Sequence, residues 1–292
     1  MNEHQNHIPV MLEETLELLE LHEGQSVVDA TFGFGGHARK VLEKIGKNGQ
    51  LIGFERDEAV YEIVKKEFKQ PNLLLINDNF TSLRENLEKK NITEVDRVYF
   101  DLGISMFHYL KSARGFSFSK DEVLDMRLDS IGPSAADLIN GLSQNELADM
   151  FYTLAQETYS RQIAKAIVTQ RRSEKIETSA QLERVIAGVV KKRGKINPAT
   201  KVFQALRIAV NDELNNLSEG LEQALDVLKK DGLLLVITFH SGEDRIVKQF
   251  FKRKSQEGFL KLENKKPVFP TRSECLANRP SRSAKIRVAR RV

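Results

Sequence analysis

The sequence predicts an α/β protein: a mostly parallel, doubly wound sheet with an all-helical domain inserted after the fourth strand. Between residues 27 and 103, four short apolar stretches alternate with amphipathic helical patterns. Such alternation builds a parallel sheet that binds ligands at the carboxyl ends of its strands. The alternation then stops, because residues 104–216 contain no convincing buried strand. A segment of that length is too long for a loop of a compact domain, so it predicts an inserted domain.

The first strand, residues 27–29, ends in a carboxylate and runs into a turn rich in glycine. Gly33, Gly35 and Gly36 lie in this turn, and a helix is predicted over residues 38–45. Glycine admits positive φ angles and the close approach of a ligand, and a helix start offers unpaired N–H groups. The turn therefore predicts a nucleotide-type site. Its spacing differs from G-x-G-x-x-G, so a ligand-free turn stays an alternative.

The second strand, residues 51–55, ends in Glu55, about twenty residues after the glycine turn. In doubly wound sheets an acid at this place accepts hydrogen bonds from the hydroxyls of a ribose. The turn and the acid together predict a ligand that contains adenosine. The residues alone leave two candidates open, a nicotinamide dinucleotide and S-adenosylmethionine.

The other elements follow from hydrophobic periodicity and capping signals. Up to the fourth strand they are a helix within 7–21, a helix over 57–68, a strand over 73–76, a helix capped by Ser82 and Glu85, and a strand over 95–103. In the insert they are a helix after Ser143, a helix over 158–170 and a helix after Thr178. Afterwards come a helical stretch over 199–228, a strand over 232–240, a helix over 241–254, and closing strands over 267–271 and 285–289.

Composition excludes some classes of protein. The chain has 292 residues, of which 40% are hydrophobic, and no apolar run reaches the roughly 18 residues that a membrane span needs. The polar first seven residues lack the apolar core of a signal peptide, and the single cysteine, Cys275, indicates a reducing compartment. We therefore expect a cytoplasmic protein. Basic clusters at 171–172, 191–195 and 279–292 suggest phosphate contact, with a solvated face or a frayed tail as the alternative.

Four predicted strands deliver polar side chains to one edge of the sheet, namely Asp29, Glu55, Asp101 and His240. Asp101 is placed to accept a hydrogen bond from a cationic ligand or a substrate amine, unless it caps the next segment. Phe80 fits either beside an adenine ring or in the core. The run 114–118, an arginine with two phenylalanines, suits stacking on a base or an aromatic lid. No serine-hydrolase elbow and no metal-binding spacing is found, so no metal site is predicted.

Sequence blocks along nearly the whole chain resemble the RsmH (MraW) family. They are DATFGFGGH (29–37), DLGIS (101–105), RGFSF (114–118), LDMR (124–127), NPAT (197–200), FQALRI (203–208), FHS (239–241), EDRIVK (243–248) and SRSAK (281–285). The resemblance implies a bacterial S-adenosylmethionine-dependent methyltransferase with a class I, Rossmann-like fold. Its implied substrate is the exocyclic N4 of a decoding-centre cytidine in 16S rRNA of the small ribosomal subunit. The implied domains are a cofactor-binding domain, 1–104 with 196–292, and a substrate-recognition insert, 105–195.

The resemblance also implies roles for particular residues. The cofactor-binding set is Gly33, Gly35, Gly36, His37, Glu55, Phe80, Asp101 and His108. Within it, the glycines and His37 would cradle the methionine end, Glu55 would hold the ribose hydroxyls and Phe80 would lie against adenine. For catalysis we expect Asp101 and Ser105 to accept hydrogen bonds from the amine of the target base, because its lone pair must localise during transfer.

Three positions depart from the usual family pattern. Glu55 stands where the family has aspartate, His108 where it has glutamine, and Gly242 where it has leucine. These departures leave open a divergent paralogue with a different nucleic-acid target, or one that binds RNA without turnover. A nicotinamide-dependent oxidoreductase is the rival enzyme class. The sequence leaves the oligomeric state open, and a homodimer is among the states that it allows.

Overall fold

The computed structural model describes residues 8–190 and 197–292, so the predicted basic cluster at 191–195 lies outside the described residues. The chain forms two compact units. The first, here the sheet unit, comprises the chain up to Ile104 together with Leu214–Val292. The second, here the helical unit, is Ser105–Glu213. No helix of the described residues has the length and apolar character that a membrane crossing requires.

The sheet unit contains a seven-stranded sheet. Its strands are β1 Ser26–Asp29, β2 Gln50–Phe54, β3 Leu73–Ile76, β4 Val95–Asp101, β5 Leu228–Thr238, β6 Leu260–Leu262 and β7 Lys285–Arg291. They lie in the order β3-β2-β1-β4-β5-β7-β6. The first five are parallel, whereas β7 pairs antiparallel with both β5 and β6. The predicted doubly wound, mostly parallel, Rossmann-like sheet is thus confirmed.

Thirteen α-helices surround or follow these strands in the described part of the chain. They are α1 Leu12–Leu18, α2 Gly36–Ile45, α3 Glu58–Glu67, α4 Leu83–Lys89, α5 Met106–Leu110, α6 Ala135–Gly141, α7 Gln144–Ala155, α8 Ser160–Gln170, α9 Ser179–Val189, α10 Ala199–Val210, α11 Glu213–Val227, α12 Ser241–Gln256 and α13 Arg272–Ala277. The predicted helical stretch 199–228 is two helices, because Asp212 takes a positive φ of 49° between α10 and α11.

The core of the sheet unit lies along the central strands. Val28, Ile52, Phe100 and Val236 come from four of them, are completely buried and belong to one apolar cluster. Leu221 of α11 belongs to the same cluster. Strands that are covered on both faces need continuous apolar sequences, and such runs make these strands recognisable in the amino-acid sequence. This packing fixes the carboxyl ends of the strands, where polar residues follow.

Two local predictions in the sheet unit are wrong. Ser82 makes no capping hydrogen bond, because Asn79 caps a short 3-10 turn, Phe80–Ser82, that leads directly into α4. Residues 267–271 do not form a strand; only Val268 pairs with Ile286, as an isolated bridge. Two prolines in this run lack the N–H that a ladder needs. The edge strand is instead β6, whose three residues are too few for a periodic pattern.

The helical unit is built from capped amphipathic helices. Ser143 and Thr178 form the predicted capping boxes of α7 and α9, and Ser134 forms another on α6. α10 packs against α6, α7 and α9, and its apolar residues are buried. The unit therefore extends to Glu213 rather than ending near residue 195, since α10 shares its core.

The basic C-terminal segment is a structural strand rather than a frayed tail. β7 lies between β5 and β6, and its cations have internal partners. Lys285 and Arg287 both pair with Asp244, at 3.2 and 2.7 Å. Arg290 pairs with Glu20 at 2.8 Å and with Glu263 at 2.7 Å. These cations of β7 are therefore engaged within the sheet unit, whereas Arg279 and Arg282 precede the strand and are exposed.

Candidate cofactor site at the carboxyl ends of the strands

The glycine turn connects β1 to α2 with two residues in left-handed backbone conformations. Gly33 has φ +52° and Gly35 has φ +70°, and α2 begins at Gly36. A Cβ added to Gly35 would lie 2.2 Å from Cζ of Phe68, and one added to Gly36 would lie 2.7 Å from Cγ of Pro9. Gly35 is therefore required by its positive φ and by the close contact with Phe68, and Gly36 by the close contact with Pro9. The turn leaves the first N–H groups of α2 at the mouth of the sheet.

Glu55 joins the turn to the end of β2. Its carboxylate accepts hydrogen bonds from the backbone N–H groups of Gly33, at 3.0 Å, and Asp57, at 2.7 Å. Burial raises the pKa of Glu55 to about 7, opposed by these hydrogen bonds and assisted by the nearby charges of Asp57 and Asp29. The predicted contact of Glu55 with the ribose hydroxyls stays a prediction, and the structure shows that this acid holds the turn in place.

Asp101 ends β4 with a carboxylate that is only partly satisfied. Its Oδ2 lies 3.4 Å from Nδ1 of His37, whereas its Oδ1 is buried and has no hydrogen-bond partner among the described residues. Burial raises the pKa of Asp101 well above its usual value, and the charges of Asp29 and Glu243 raise it further. A buried oxygen without a donor costs free energy, so it indicates a place where a ligand supplies a donor or a positive charge.

His37 links this carboxylate to the N-terminal part of the chain. The ring is buried, and its Nε2 lies 3.1 Å from the carbonyl oxygen of Val10. Because a carbonyl only accepts, Nε2 carries the hydrogen, and the neutral ring then presents Nδ1 to Asp101 without one. A proton must lie on Nδ1 or on the Asp101 carboxyl for the two to attract each other.

Asp29 is a third buried acid at the same edge, and the site assignment from sequence did not include it. Its Oδ2 accepts a hydrogen bond of 2.5 Å from the hydroxyl of Tyr99, and its Oδ1 accepts one of 3.1 Å from the N–H of Thr31. Burial raises the pKa of Asp29 to about 7, although both bonds lower it. Its position at the end of β1 had placed it at this edge from the sequence, but that position gives no sign of its burial or of its bond to Tyr99.

Phe80 follows β3 and packs on the core of the sheet unit. Its ring meets that of Phe100 edge to face, with centroids 5.3 Å apart. A Cβ added to Gly220 of α11 would lie 2.4 Å from Cδ2 of Phe80, so the helix approaches the ring closely. The side chain is only partly buried. The core packing anchors one part of the ring, and the adenine contact stays a prediction.

Ser105 and His108 lie at the start of the helical unit and bind each other. The hydroxyl of Ser105, at the N-cap of α5, is 3.0 Å from Nδ1 of His108. The ring of His108 is buried and packs edge to face on Phe116, with centroids 5.4 Å apart. Their predicted roles at the cofactor and the target base remain predictions.

The run 114–118 is packed rather than freely extended. Arg114 donates hydrogen bonds to the carbonyl oxygens of Arg127 and Leu128, at 2.9 and 3.2 Å. Phe116 is buried, and Phe118 meets Phe203 edge to face at 5.3 Å. Of the two interpretations from sequence, these contacts favour the aromatic lid.

His240 follows β5 and caps the start of α12. Its Nδ1 accepts the N–H of Glu243 at 3.4 Å, while the Glu243 carboxylate accepts from the N–H groups of Phe239 and His240, at 2.7 and 3.2 Å. This reciprocal capping box starts α12. It agrees with the sequence argument against a hydrolase triad.

The stability of the ligand-free protein is expected to fall as pH rises from about 4.5 to about 7. Asp29 and Glu55 bind protons in the folded state up to about pH 7, but in the unfolded chain only up to their ordinary values of 3.8 and 4.5. The folded state therefore holds more protons across this window, and that advantage is lost as the two groups ionise. Each unit of pKa difference corresponds to about 1.4 kcal/mol, so the effect is several kcal/mol.

Urea unfolding at pH 5 and pH 7.5 measures this dependence. The double variant Asp29→Asn, Glu55→Gln should make the profile shallower, because it removes two of the three acids whose pKa is raised by burial and leaves Asp101. A native profile that rises with pH over the window, or a variant profile as steep as the native one, would contradict the assignment.

Comparison with known proteins agrees with the resemblance found in the motifs. The model of the MraW methylase family matches residues 4–292. Three relatives are named ribosomal RNA small subunit methyltransferase H. That of Sulfurihydrogenibium sp. (strain YO3AOP1) is 40% identical, over 98% of this chain and 99% of its own. That of Dictyoglomus thermophilum is 43% identical, over 98% and 96%. That of Borrelia garinii subsp. bavariensis is 44% identical, over 100% of both chains.

The match thus runs from one end of the chain to the other, and it includes the glycine turn, the acids at the strand ends and both segments of the sheet unit. The chain belongs to the MraW methylase family, whose members use S-adenosylmethionine as the methyl donor.

Proposed function

We propose that this protein transfers a methyl group from S-adenosylmethionine to the exocyclic N4 of a decoding-centre cytidine in 16S rRNA of the small ribosomal subunit. The names of the relatives support small-subunit rRNA as the substrate class. The motif blocks from Asp29 to Lys285 support cytidine N4. The observation that carries the proposal is the buried, unpartnered Oδ1 of Asp101 at the carboxyl end of β4.

Several features of the sheet unit support binding of the cofactor. Gly35 and Gly36 let the turn pack closely on Phe68 and Pro9, and the start of α2 favours the carboxylate of a methionine group. Glu55, next to the turn, would accept the ribose hydroxyls, and Phe80 would contact adenine. The buried acids Asp29 and Asp101 favour a ligand with positive charge, because a cation stabilises their ionised forms.

S-adenosylmethionine, when bound, supplies a methyl group on a positively charged sulfur. The protein must then hold the base and draw on its amine, because the amine lone pair is delocalised into the ring. We assign the carboxylate of Asp101 as the acceptor of one N–H bond of this amine, with His37 beside Oδ2 to hold the carboxylate in orientation. Ser105 is the second proposed acceptor. The helical unit would recognise the RNA around the unstacked target base.

The test is tritium transfer from labelled cofactor to small ribosomal subunits that lack the modification. We expect the label in the cytosine fraction after digestion of the rRNA. Label in another base would contradict the target, and the absence of any label would contradict turnover and favour an RNA-binding paralogue. Subunits that already carry the modification are the matched control, and they should accept little label.

Isothermal calorimetry with both cofactors tests the rival enzyme class. We expect binding of S-adenosylmethionine and none of NAD, because the glycine turn lacks the dinucleotide spacing. NAD binding without S-adenosylmethionine binding would contradict the proposal. We place the protein in the cytoplasm, with its ribosomal substrate. A homodimer stays a prediction that light scattering checks.

A further inference from the structure

The exposed face of α12 carries cations without any acid. At 100° per residue, six positions of this 16-residue helix point the same way, and all six are exposed: Ser241, Arg245, Lys248, Gln249, Lys252 and Gln256. The opposite face, with Val247, Phe250 and Phe251, is buried in the core of the sheet unit. We call Arg245, Lys248 and Lys252 the basic face of α12. They follow each other at i, i+3 and i+7.

These three cations differ from their neighbours on the same helix. Arg253 and Lys254 pair with Glu222 at 2.6 and 2.9 Å. The cations of β7 are likewise paired, as described above. Throughout 8–190 and 197–292, by contrast, no carboxylate forms an ion pair with Arg245, Lys248 or Lys252. Their charge is therefore uncompensated on a rigid element.

The position of the basic face connects it to the site. α12 starts directly after β5, so its first turn lies at the carboxyl edge of the sheet, where Asp101 ends β4. From Arg245 to Lys252 the cations extend over about 10 Å along the helix axis, at 1.5 Å per residue. One strand of nucleic acid carries a negative charge about every 3.4 Å of helix axis. The face can thus contact several successive phosphates of a strand that leads into the site.

We propose that the basic face of α12 binds the phosphate backbone of the RNA substrate, a role that rests on the proposed function. RNA fits this face better than a lipid surface does. A helix that lies in a membrane interface needs a broad apolar face toward the lipid, and the apolar face of α12 is buried in the protein. The uncharged members of the exposed face are serine and glutamine, which hydrogen-bond to phosphate and sugar oxygens.

The test compares two triple variants of the full chain in RNA binding. The first, Arg245→Gln, Lys248→Gln, Lys252→Gln, removes the basic face but keeps good helix formers. The control, Lys66→Gln, Lys69→Gln, Lys90→Gln, removes the same charge at exposed positions in the last turn of α3 and just after α3 and α4, at the amino edge of the sheet. Affinity for polycytidylate is measured between about 50 and 200 mM salt. Methyl transfer to unmodified small subunits gives KM and kcat.

We expect the first variant to bind RNA at least about tenfold more weakly at low salt, with the slope of log K against log salt reduced by about 2, since three phosphate contacts are lost. KM for the subunit should rise while kcat stays close to native. The control should match the native protein in slope and KM. An unchanged slope in the first variant, or equal losses in both, would overturn the proposal.

Two further outcomes separate this proposal from the proposed function. If the native protein methylates subunits and the first variant does so with the same KM and salt dependence, the proposed role of the basic face is wrong and the proposed function stands. If the native protein does not methylate subunits, the function fails, while the slope difference still reports on the face. Release from phosphatidylglycerol vesicles with unchanged RNA affinity would assign the face to a membrane and overturn the RNA proposal.

Discussion

The variant Asp101→Asn is expected to lose methyl transfer by about 100- to 1,000-fold in kcat while unfolding at a higher urea concentration than the native protein near pH 7.5. The loss follows because an amide accepts a hydrogen bond more weakly than a carboxylate and cannot balance a positive charge. The gain in stability follows because burial disfavours the ionised form of Asp101, which asparagine avoids. Single-turnover kinetics with saturating cofactor, together with urea unfolding, measure both effects.

Asp96 is the matched control on the same strand. Its carboxylate accepts from the N–H and hydroxyl of Ser26, at 2.7 and 2.8 Å, and binds Lys229 at 3.0 Å. Although partial burial raises the pKa of Asp96, these partners lower it overall. Asp96→Asn should therefore reduce stability and leave kcat unchanged, opposite in both respects to Asp101→Asn. If Asp101→Asn kept its activity, or lost stability as Asp96→Asn does, the catalytic assignment would be wrong.

The variant Gly35→Ala is expected to lose cofactor affinity by more than tenfold and to destabilise the protein by several kcal/mol. Alanine at φ +70° costs about 1 kcal/mol by conformation alone. The added Cβ would also lie 2.2 Å from Cζ of Phe68, whose ring packs edge to face on Phe32, with centroids 5.1 Å apart. Relief of that overlap has to displace the Phe68 ring from its contact with Phe32 or shift the turn in which Gly33 donates to Glu55. Calorimetry with S-adenosylmethionine and urea unfolding give the two quantities.

The control Gly24→Ala separates the cost of placing a side chain at positive φ from the cost of steric overlap. Gly24 has φ +86° but nothing lies within 4 Å of an added Cβ. This variant should show only the conformational cost of about 1 kcal/mol and native cofactor affinity. If both variants lost the same stability and affinity, the close contact between Gly35 and Phe68 would not be the cause of the larger loss expected for Gly35→Ala. A second check is Gly35→Ala combined with Phe68→Leu, which should recover part of the affinity.

The parts of the fold that sequence predicted are those with local causes. The glycine turn, the acids that follow or end β1, β2 and β4, and the capping boxes of Ser143 and Thr178 depend on residues a few positions apart. Ser82 failed as a cap because Asn79 competes for the same turn. The place of α10 in the helical unit depends on the face it buries against distant helices. No local pattern contains that information.

The candidate site likewise combines features that local sequence predicts with features that depend on distant contacts. Glu55 was assignable because α/β folds place an acid there, but its bond to Gly33 and its raised pKa depend on burial. The unpartnered Oδ1 of Asp101 is a property of its surroundings, since nothing in the neighbouring residues shows that no donor reaches it. Likewise the cations of 279–292 looked like a ligand surface. The acids that pair with Lys285, Arg287 and Arg290, Glu20 among them, lie at distant positions in the sequence.

The antiparallel strand β7 has a consequence for how this chain is made. β5 is an inner strand of the sheet and hydrogen-bonds to β4 on one side and to β7 on the other. The insert separates β4 from β5 along the chain, and α12 lies between β5 and β7. A nascent chain that has not yet released residue 285 from the ribosome has an apolar strand with one open edge. The sheet therefore closes late in synthesis, and slow, non-local pairing of this kind exposes the growing polypeptide to aggregation until then.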